Sequence, residues 1–141
     1  MNNRYICKGK RKDNKKWVEG DLIQWKNGNV QICLGVGTNK EQKTLVDVIP
    51  ETVCRCTELK DKNSKLIFEG DIIITDKFNT PEIRYTIVYD KEIATFIGEY
   101  KKGCVKHFTT FDGDSNCFEV IGNIHDNPEL LEVERWTRKK H

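Results

Sequence analysis

The sequence is poor in several residue types, and each shortage excludes a class of protein. Three prolines and ten glycines in 141 residues exclude a collagen-like or proline-rich chain. No apolar run approaches the roughly 20 residues of a membrane-spanning helix. Residues 1–10 lack the apolar segment of a signal peptide, so we expect a cytoplasmic protein. Only 37% of residues are hydrophobic and 33% are charged, which predicts a thin core.

The residues that would support catalysis are also few. The two serines, Ser64 and Ser115, both lie in turn-like clusters. Cys104 and His107 are three positions apart, but a nucleophile–base pair needs a third orienting group and a pocket, and neither can be identified. The sequence contains no phosphate-binding glycine loop of known spacing. We therefore expect a protein that is not an enzyme.

Six cysteines are present, and without an export signal we expect reduced thiols rather than disulfides. Cys54 and Cys56 would share one face of a strand, where a zinc ion is an alternative. Structural zinc sites, however, typically have two close ligand pairs, and the other four cysteines are scattered. Cysteine also serves as a small core residue. We expect no zinc.

The stretch Asp112-x-Asp114-x-Asn116 begins like a calcium loop. Its sixth position, which requires glycine, is Cys117, and its twelfth is Asn123 where a bidentate glutamate is needed. A turn between two strands accounts for the same residues. We expect no calcium and no cofactor.

Charge divides the chain into two parts. Residues 1–56 contain 11 Lys/Arg and 6 Asp/Glu, a net charge of +5, whereas residues 57–141 contain 13 and 16, a net charge of −3. The first part is suited to a polyanion, and the two parts are equally suited to each other, within one chain or between copies. We predict an N-terminal β subdomain at 1–56, a second domain at 57–134 and a basic, frayed tail at 135–141.

Short apolar runs between turn clusters predict a mainly β protein. Asn27-Gly28 is a strong hairpin signal between strands at 22–25 and 30–34. Near the end, Asn127 as cap and Pro128 as first residue predict a short helix over 129–134. Further strands are predicted at 5–7, 45–49, 52–57, 83–89, 93–97, 105–111 and 118–121.

An internal repeat relates two segments 50 positions apart. Each has a charged turn, an apolar pair, Glu-Gly-Asp and a second apolar pair. We predict that both Glu-Gly-Asp motifs are sharp β corners, because glycine permits the bend and the acids keep its outside hydrated. The corner residues are Glu19, Gly20, Asp21, Glu69, Gly70 and Asp71.

The basic turn at 8–16 has six Lys/Arg and one acid, and Trp17 follows it. One interpretation is a nucleic-acid contact in which the cations bind phosphates and Trp17 stacks on a base. The other is a solvated hairpin tip with Trp17 in the core. The repeat favours the second, because an ordinary core residue, Ile67, is equivalent to Trp17. The candidate contact residues for nucleic acid or another partner are Lys10, Arg11, Lys12, Lys15, Lys16 and Trp17.

Several segments resemble the phage-type YopX-like family. They are PETV at 50–53, LKDKNSK at 59–65 running into FEGDII at 68–73, and VIGNIHDNPELL at 120–131. The opening, KGKR at 8–11 through WVEG at 17–20, is also similar, and the resemblance spans about residues 4–132. Cys54, Glu58 and Ser64 stand where the family usually has glycine, so the local turns are less permissive here.

The resemblance implies a protein encoded by a phage or prophage, with an SH3-like C-terminal half and no established activity. The predicted fold is therefore an N-terminal β-meander, a small SH3-like barrel and a short C-terminal helix. We expect non-enzymatic binding or assembly in the host cytoplasm, through a homo-oligomer and an unknown phage or host protein, because small barrels have edge strands that need covering. Nucleic acid is the second candidate partner, and no membrane contact is expected.

Overall fold

The computed structural model describes residues 6–34, 44–75, 84–102, 105–110 and 118–131. Within them the protein is mainly β, as predicted, with eleven strands in two antiparallel sheets. The chain divides into two compact units, Met1–Glu58 and Leu59–His141. No helix in the described ranges is long and apolar enough to cross a membrane.

The strands follow one another with short connections. They are β1 (Ile6–Lys10), β2 (Trp17–Gln24), β3 (Val30–Leu34), β4 (Thr44–Asp47), β5 (Cys54–Lys60), β6 (Leu66–Phe68), β7 (Asp71–Thr75), β8 (Arg84–Asp90), β9 (Thr95–Lys102), β10 (Val105–Thr110) and β11 (Phe118–Asn123). Short 3-10 turns occur at Pro50–Thr52 and Pro128–Leu131. The predicted helix over 129–134 is thus a 3-10 turn as far as residue 131, and its remaining residues lie outside the described ranges.

The first unit is built from successive hairpins, and its strands lie in the order β4-β3-β2-β1-β5. The β2–β3 hairpin forms at Asn27-Gly28, as predicted, with Gly28 at a φ of 93° and its N–H donating to the carbonyl of Trp25. β5 begins in this unit and ends at Lys60, beyond Glu58.

The end of β1 bonds to the residues that follow β4. Arg11 forms an antiparallel bridge with Val48, and the Ile49 N–H donates to the Lys10 carbonyl at 2.8 Å. The Lys10 N–H in turn donates to Thr52 Oγ1 at 2.9 Å. After the three hairpins of β1–β4, the chain therefore lies beside β1 again. These bonds enclose an interior of buried Ile32, Val46 and Val48, against which Gly9 packs.

In the second unit, the strands β10-β9-β8-β7-β11 form one sheet in that order. The buried side chains of Ile67, Ile73 and Ile87 form the core cluster, with partly buried aromatics around them. Gly98 lies opposite Ile87, and the ring of Tyr85 covers the space beside it. Among the described strands, β10 and β11 lie at the two edges without pairing to each other, so the closure of a barrel is not seen in this part of the chain.

The two Glu-Gly-Asp motifs have different backbone structures. Glu69 and Gly70 form a turn between β6 and β7, where Gly70 has a φ of 87° and its N–H donates to the Ile87 carbonyl at 2.7 Å. Glu19-Gly20-Asp21 instead lies within the uninterrupted strand β2. β2 pairs with β1 from Trp17 to Asp21 and with β3 from Asp21 to Gln24, so the two pairings overlap only at Asp21. Only the second predicted corner is therefore a turn.

Candidate binding surface

The predicted contact residues lie at the tip of the β1–β2 hairpin. The Arg11 N–H donates to the Lys16 carbonyl and the Lys15 N–H to the Arg11 carbonyl, which closes a compact turn. Lys15 adopts a φ of 63°, and Asn14 Oδ1 accepts the Lys16 N–H at 2.9 Å. The side chains of Lys12, Lys15 and Lys16 are exposed. The structure therefore brings these three cations together on one small, hydrated tip.

Arg11 does not add to the free positive charge of this tip. Its Nε and Nη2 atoms donate to the two carboxylate oxygens of Asp13 at 2.9 and 2.8 Å, a bidentate pair. This hydrogen bonding lowers the pKa of Asp13 and raises that of Arg11. The pair neutralises one of the cations that the sequence assigns to a partner.

Trp17 is half-buried, and two ammonium groups lie near its ring. Lys8 Nζ is 4.8 Å and Lys10 Nζ is 5.4 Å from the ring centroid, within the range of cation–π attraction. Lys10 faces Trp17 directly across the β1–β2 pair. Lysine side chains of the same hairpin thus already occupy the surroundings of the ring on which a base was predicted to stack.

The strand register places a further set of side chains on the same face of the sheet as Trp17. Successive residues of a strand point to opposite faces, and cross-strand partners share a face. Ile23 faces Gln31, which faces Asp47, and the neighbouring row contains Asp21, Cys33 and Leu45. We call this face the Trp25 face; its members are Ile6, Lys8, Lys10, Trp17, Glu19, Asp21, Ile23, Trp25, Gln31, Cys33, Leu45 and Asp47.

Trp25 is held in one orientation at the edge of this face. Its indole Nε1–H donates to Gln31 Oε1 at 2.8 Å, and Gln31 Nε2 donates to Asp47 Oδ1 at 2.9 Å. Half of the Trp25 surface (50%) remains exposed, and Leu45 on the same face is 48% exposed. The Gln31 amide thus connects an exposed aromatic ring to an exposed carboxylate.

The group of Trp25, Gln31 and Asp47 was not predicted from the sequence. The Asn27-Gly28 turn gives the β2–β3 register and therefore the approach of Trp25 to Gln31. Asp47 joins them only through the β3–β4 register, which follows a nine-residue connection at 35–43 with no turn signature that fixes it. A local motif could have suggested the first contact and not the second.

The four cysteines of the described ranges are reduced and buried: Cys7, Cys33, Cys54 and Cys56. Cys54 Sγ donates to the Thr52 carbonyl at 3.2 Å, and Cys56 Sγ accepts the Glu58 N–H at 3.3 Å. Across residues 6–34, 44–75, 84–102, 105–110 and 118–131, no three His, Cys, Asp or Glu side chains are grouped to hold a metal. Cys104 and the calcium-like stretch at 112–116 lie outside the described residues.

Comparison with known proteins identifies the family of the chain. A family model described as "YopX protein" matches residues 8–132, which is most of the sequence. No curated protein matches. A solved structure, that of protein EF1440 from Enterococcus faecalis, is similar in fold, with a TM-score of 0.56 and 24% identity over 89% of this chain and 96% of that chain. The chain belongs to the YopX family.

Proposed function

We propose that this chain is a non-enzymatic binding protein that associates with other proteins, including further copies of itself. The observation that supports this best is the Trp25 face, where Trp25 and Leu45 are each about half exposed (50% and 48%). Large apolar side chains grouped on a sheet face and bordered by charged residues are typical of protein interaction sites. A tryptophan fixed by hydrogen bonds loses little conformational entropy when a partner covers it.

Two further features support association between copies. Among the described strands, β10 lies at one edge of its sheet, and an edge strand presents backbone groups that a second chain can cover. The net charges of +5 for residues 1–56 and −3 for residues 57–141 attract one another between copies.

Light scattering at micromolar concentration and moderate salt tests this function. We expect a mass that is a multiple of 16.4 kDa. Leu45→Glu places a charge on the Trp25 face and should reduce the mass, whereas Ile93→Glu, at the exposed tip of the β8–β9 hairpin, is the matched control. A mass of 16.4 kDa for the wild-type chain would rule out self-association.

The same proposal includes the type of β fold in each unit and the origin of the protein. The successive hairpins of β1–β4 support a meander in the first unit. The meander β7–β10, with β11 returning to pair with β7, supports an SH3-like barrel closed by a short C-terminal helix. The YopX family and the reduced state of the described cysteines support a phage or prophage protein that acts in the host cytoplasm.

Nucleic-acid binding is the second candidate, and the exposed cluster of Lys12, Lys15 and Lys16 favours it. With Lys8 and Lys10 beside the Trp17 ring, this contact would rely on phosphates rather than on base stacking. Fluorescence anisotropy with single- and double-stranded oligonucleotides tests it. Binding that weakens steeply with salt, and that is lost when the three lysines are changed to glutamate, supports it. No binding at low salt removes it.

A further inference from the structure

We propose that Trp25 and Asp47 form a site for an arginine side chain of a protein partner. This inference rests on the proposed protein-binding function and specifies the chemistry of the partner. An exposed indole ring offers its π face to a cation, and an exposed carboxylate on the same face offers the opposite charge. The hydrogen bonds through Gln31 set the two groups in a fixed relation before any partner arrives.

The hydrogen bonds of this group leave its recognition atoms accessible. The indole nitrogen is already satisfied by Gln31, so the ring is available for stacking rather than for donating a hydrogen bond. Asp47 uses Oδ1 to accept from Gln31, and among the described residues its Oδ2 takes no hydrogen bond and forms no salt bridge. Oδ2 can therefore accept from a donor that approaches over the ring.

The negative charge of Asp47 favours a cation over an anion beside Trp25. A phosphate approaching Trp25 would meet the Asp47 carboxylate, so a nucleic acid that stacks a base on this ring is disfavoured electrostatically. A cation is attracted by the ring quadrupole and by the carboxylate together. Leu45, two residues before Asp47 on the same face, supplies apolar surface for the aliphatic part of the incoming side chain.

Guanidinium fits this pair of groups better than ammonium does. It is planar and stacks on an aromatic ring with its full face, and its N–H donors lie in the same plane and reach a carboxylate beside the ring. Ammonium is a compact and strongly hydrated charge that gains less from the stack. The expected occupant is thus an arginine in an exposed segment of the partner.

The test uses the full chain labelled with ¹⁵N and the peptide acetyl-Gly-Arg-Gly-amide. The chain has three tryptophans, and the Trp25 indole Nε1–H signal is identified by its loss in Trp25→Phe. We expect that signal to shift saturably with the peptide in the millimolar range. The same peptide with citrulline, which is neutral and nearly isosteric with arginine, should give no saturable shift, and the lysine peptide should bind more weakly.

Two single-charge variants provide the matched comparison. Asp47→Asn keeps an oxygen for Gln31 but replaces the charged acceptor Oδ2 with an NH₂ donor, and it should weaken arginine binding about tenfold. Glu19→Gln removes the same charge from another exposed acid of the same face and should leave binding unchanged. Absence of a saturable shift, equal affinity for arginine and citrulline, equal or tighter binding of the lysine peptide, or equal affinity of Asp47→Asn and wild type would overturn the arginine site.

Light scattering of the same samples separates this inference from the proposed function. An associated wild-type chain without an arginine-dependent shift would overturn the arginine site and leave association standing. A monomer that shows the arginine-dependent shift would support the site and rule out self-association.

Discussion

The Asp61 carboxylate and the Val120 backbone amide, 59 positions apart, are joined by a hydrogen bond of 2.9 Å from the amide to Oδ2. Oδ1 accepts two more backbone hydrogen bonds, from Asn63 and Lys65, each of 2.9 Å. A single buried side chain thus closes the turn between β5 and β6 and attaches β11 to it. The neighbouring bond from the Lys62 N–H to the Phe118 carbonyl strengthens the same attachment.

Asp61→Asn should lower the free energy of unfolding by about 3 kcal/mol, because hydrogen bonds to a charged acceptor are strong and a buried unmatched donor is costly. The substitution replaces one carboxylate oxygen with an NH₂ donor. This donor must point either at the Val120 N–H or at the N–H groups of the turn, which then lose their acceptor. Urea unfolding followed by circular dichroism measures the change. Glu119→Gln, beside Val120 but partly exposed, is the control and should cost less than about 1 kcal/mol. Equal midpoints for Asp61→Asn and wild type would contradict this role.

The same carboxylate should make the stability of the protein dependent on acid. Burial alone would raise the pKa of Asp61, but the hydrogen bonds from Val120, Lys65 and Asn63, with the charge of Lys65, outweigh it and lower the pKa. The ionised group therefore stabilises the fold above its unfolded pKa, and this contribution is lost as the pH falls through the folded pKa. Urea midpoints should fall more steeply below about pH 4 in the wild type than in Asp61→Asn. Parallel curves would show that Asp61 does not contribute.

Gly20→Ala should destabilise the first unit by about 3 kcal/mol. A Cβ atom at this position would clash with the Cys33 carbonyl oxygen, a backbone atom of the paired strand β3. Gly28→Asn is the control. Gly28 has a φ of 93° and open space around it, and asparagine tolerates a positive φ better than most residues. Thermal unfolding of both variants tests the difference, and an unchanged Tm for Gly20→Ala would contradict the close approach.

Ser64→Gly and Glu58→Gly should each stabilise the protein by about 0.5–1 kcal/mol. Both residues are exposed and adopt a left-handed backbone, with φ of 65° and 69°, where a side chain costs energy that glycine avoids. The greater flexibility of glycine in the unfolded chain offsets part of this gain. Glu92→Gly, at an exposed position without a positive φ, should instead be neutral or destabilising. Chemical denaturation of the three variants measures their free energies of unfolding. A loss of stability in Ser64→Gly and Glu58→Gly would show that the positive φ is not costly at these positions.

Features encoded by adjacent residues were predictable from the sequence. The Asn27-Gly28 hairpin and the bounds of β3 follow from turn chemistry and a short apolar run. The resemblance to the family also pointed to Glu58 and Ser64 as places where glycine is usual, and both have the positive φ that glycine favours.

Features that depend on distant pairing were not predictable. Nothing near Asp61 in sequence indicates that its partner is Val120, and Asp47 meets Gln31 only because of the β3–β4 register. The two Glu-Gly-Asp motifs are alike in sequence and different in structure for the same reason. The first is paired along its length with neighbouring strands, and the second is not.

The bridge between Arg11 and Val48 affects how the first unit folds during translation. β1 can pair with β2 as soon as both have emerged, but its other partners, Val48 and β5, are synthesised some 40 residues later. Until then the hairpins of the first unit have no enclosed interior, and their apolar side chains are open to solvent and to other nascent proteins. Completion of this unit therefore waits for translation to pass Arg55, the last residue paired with β1.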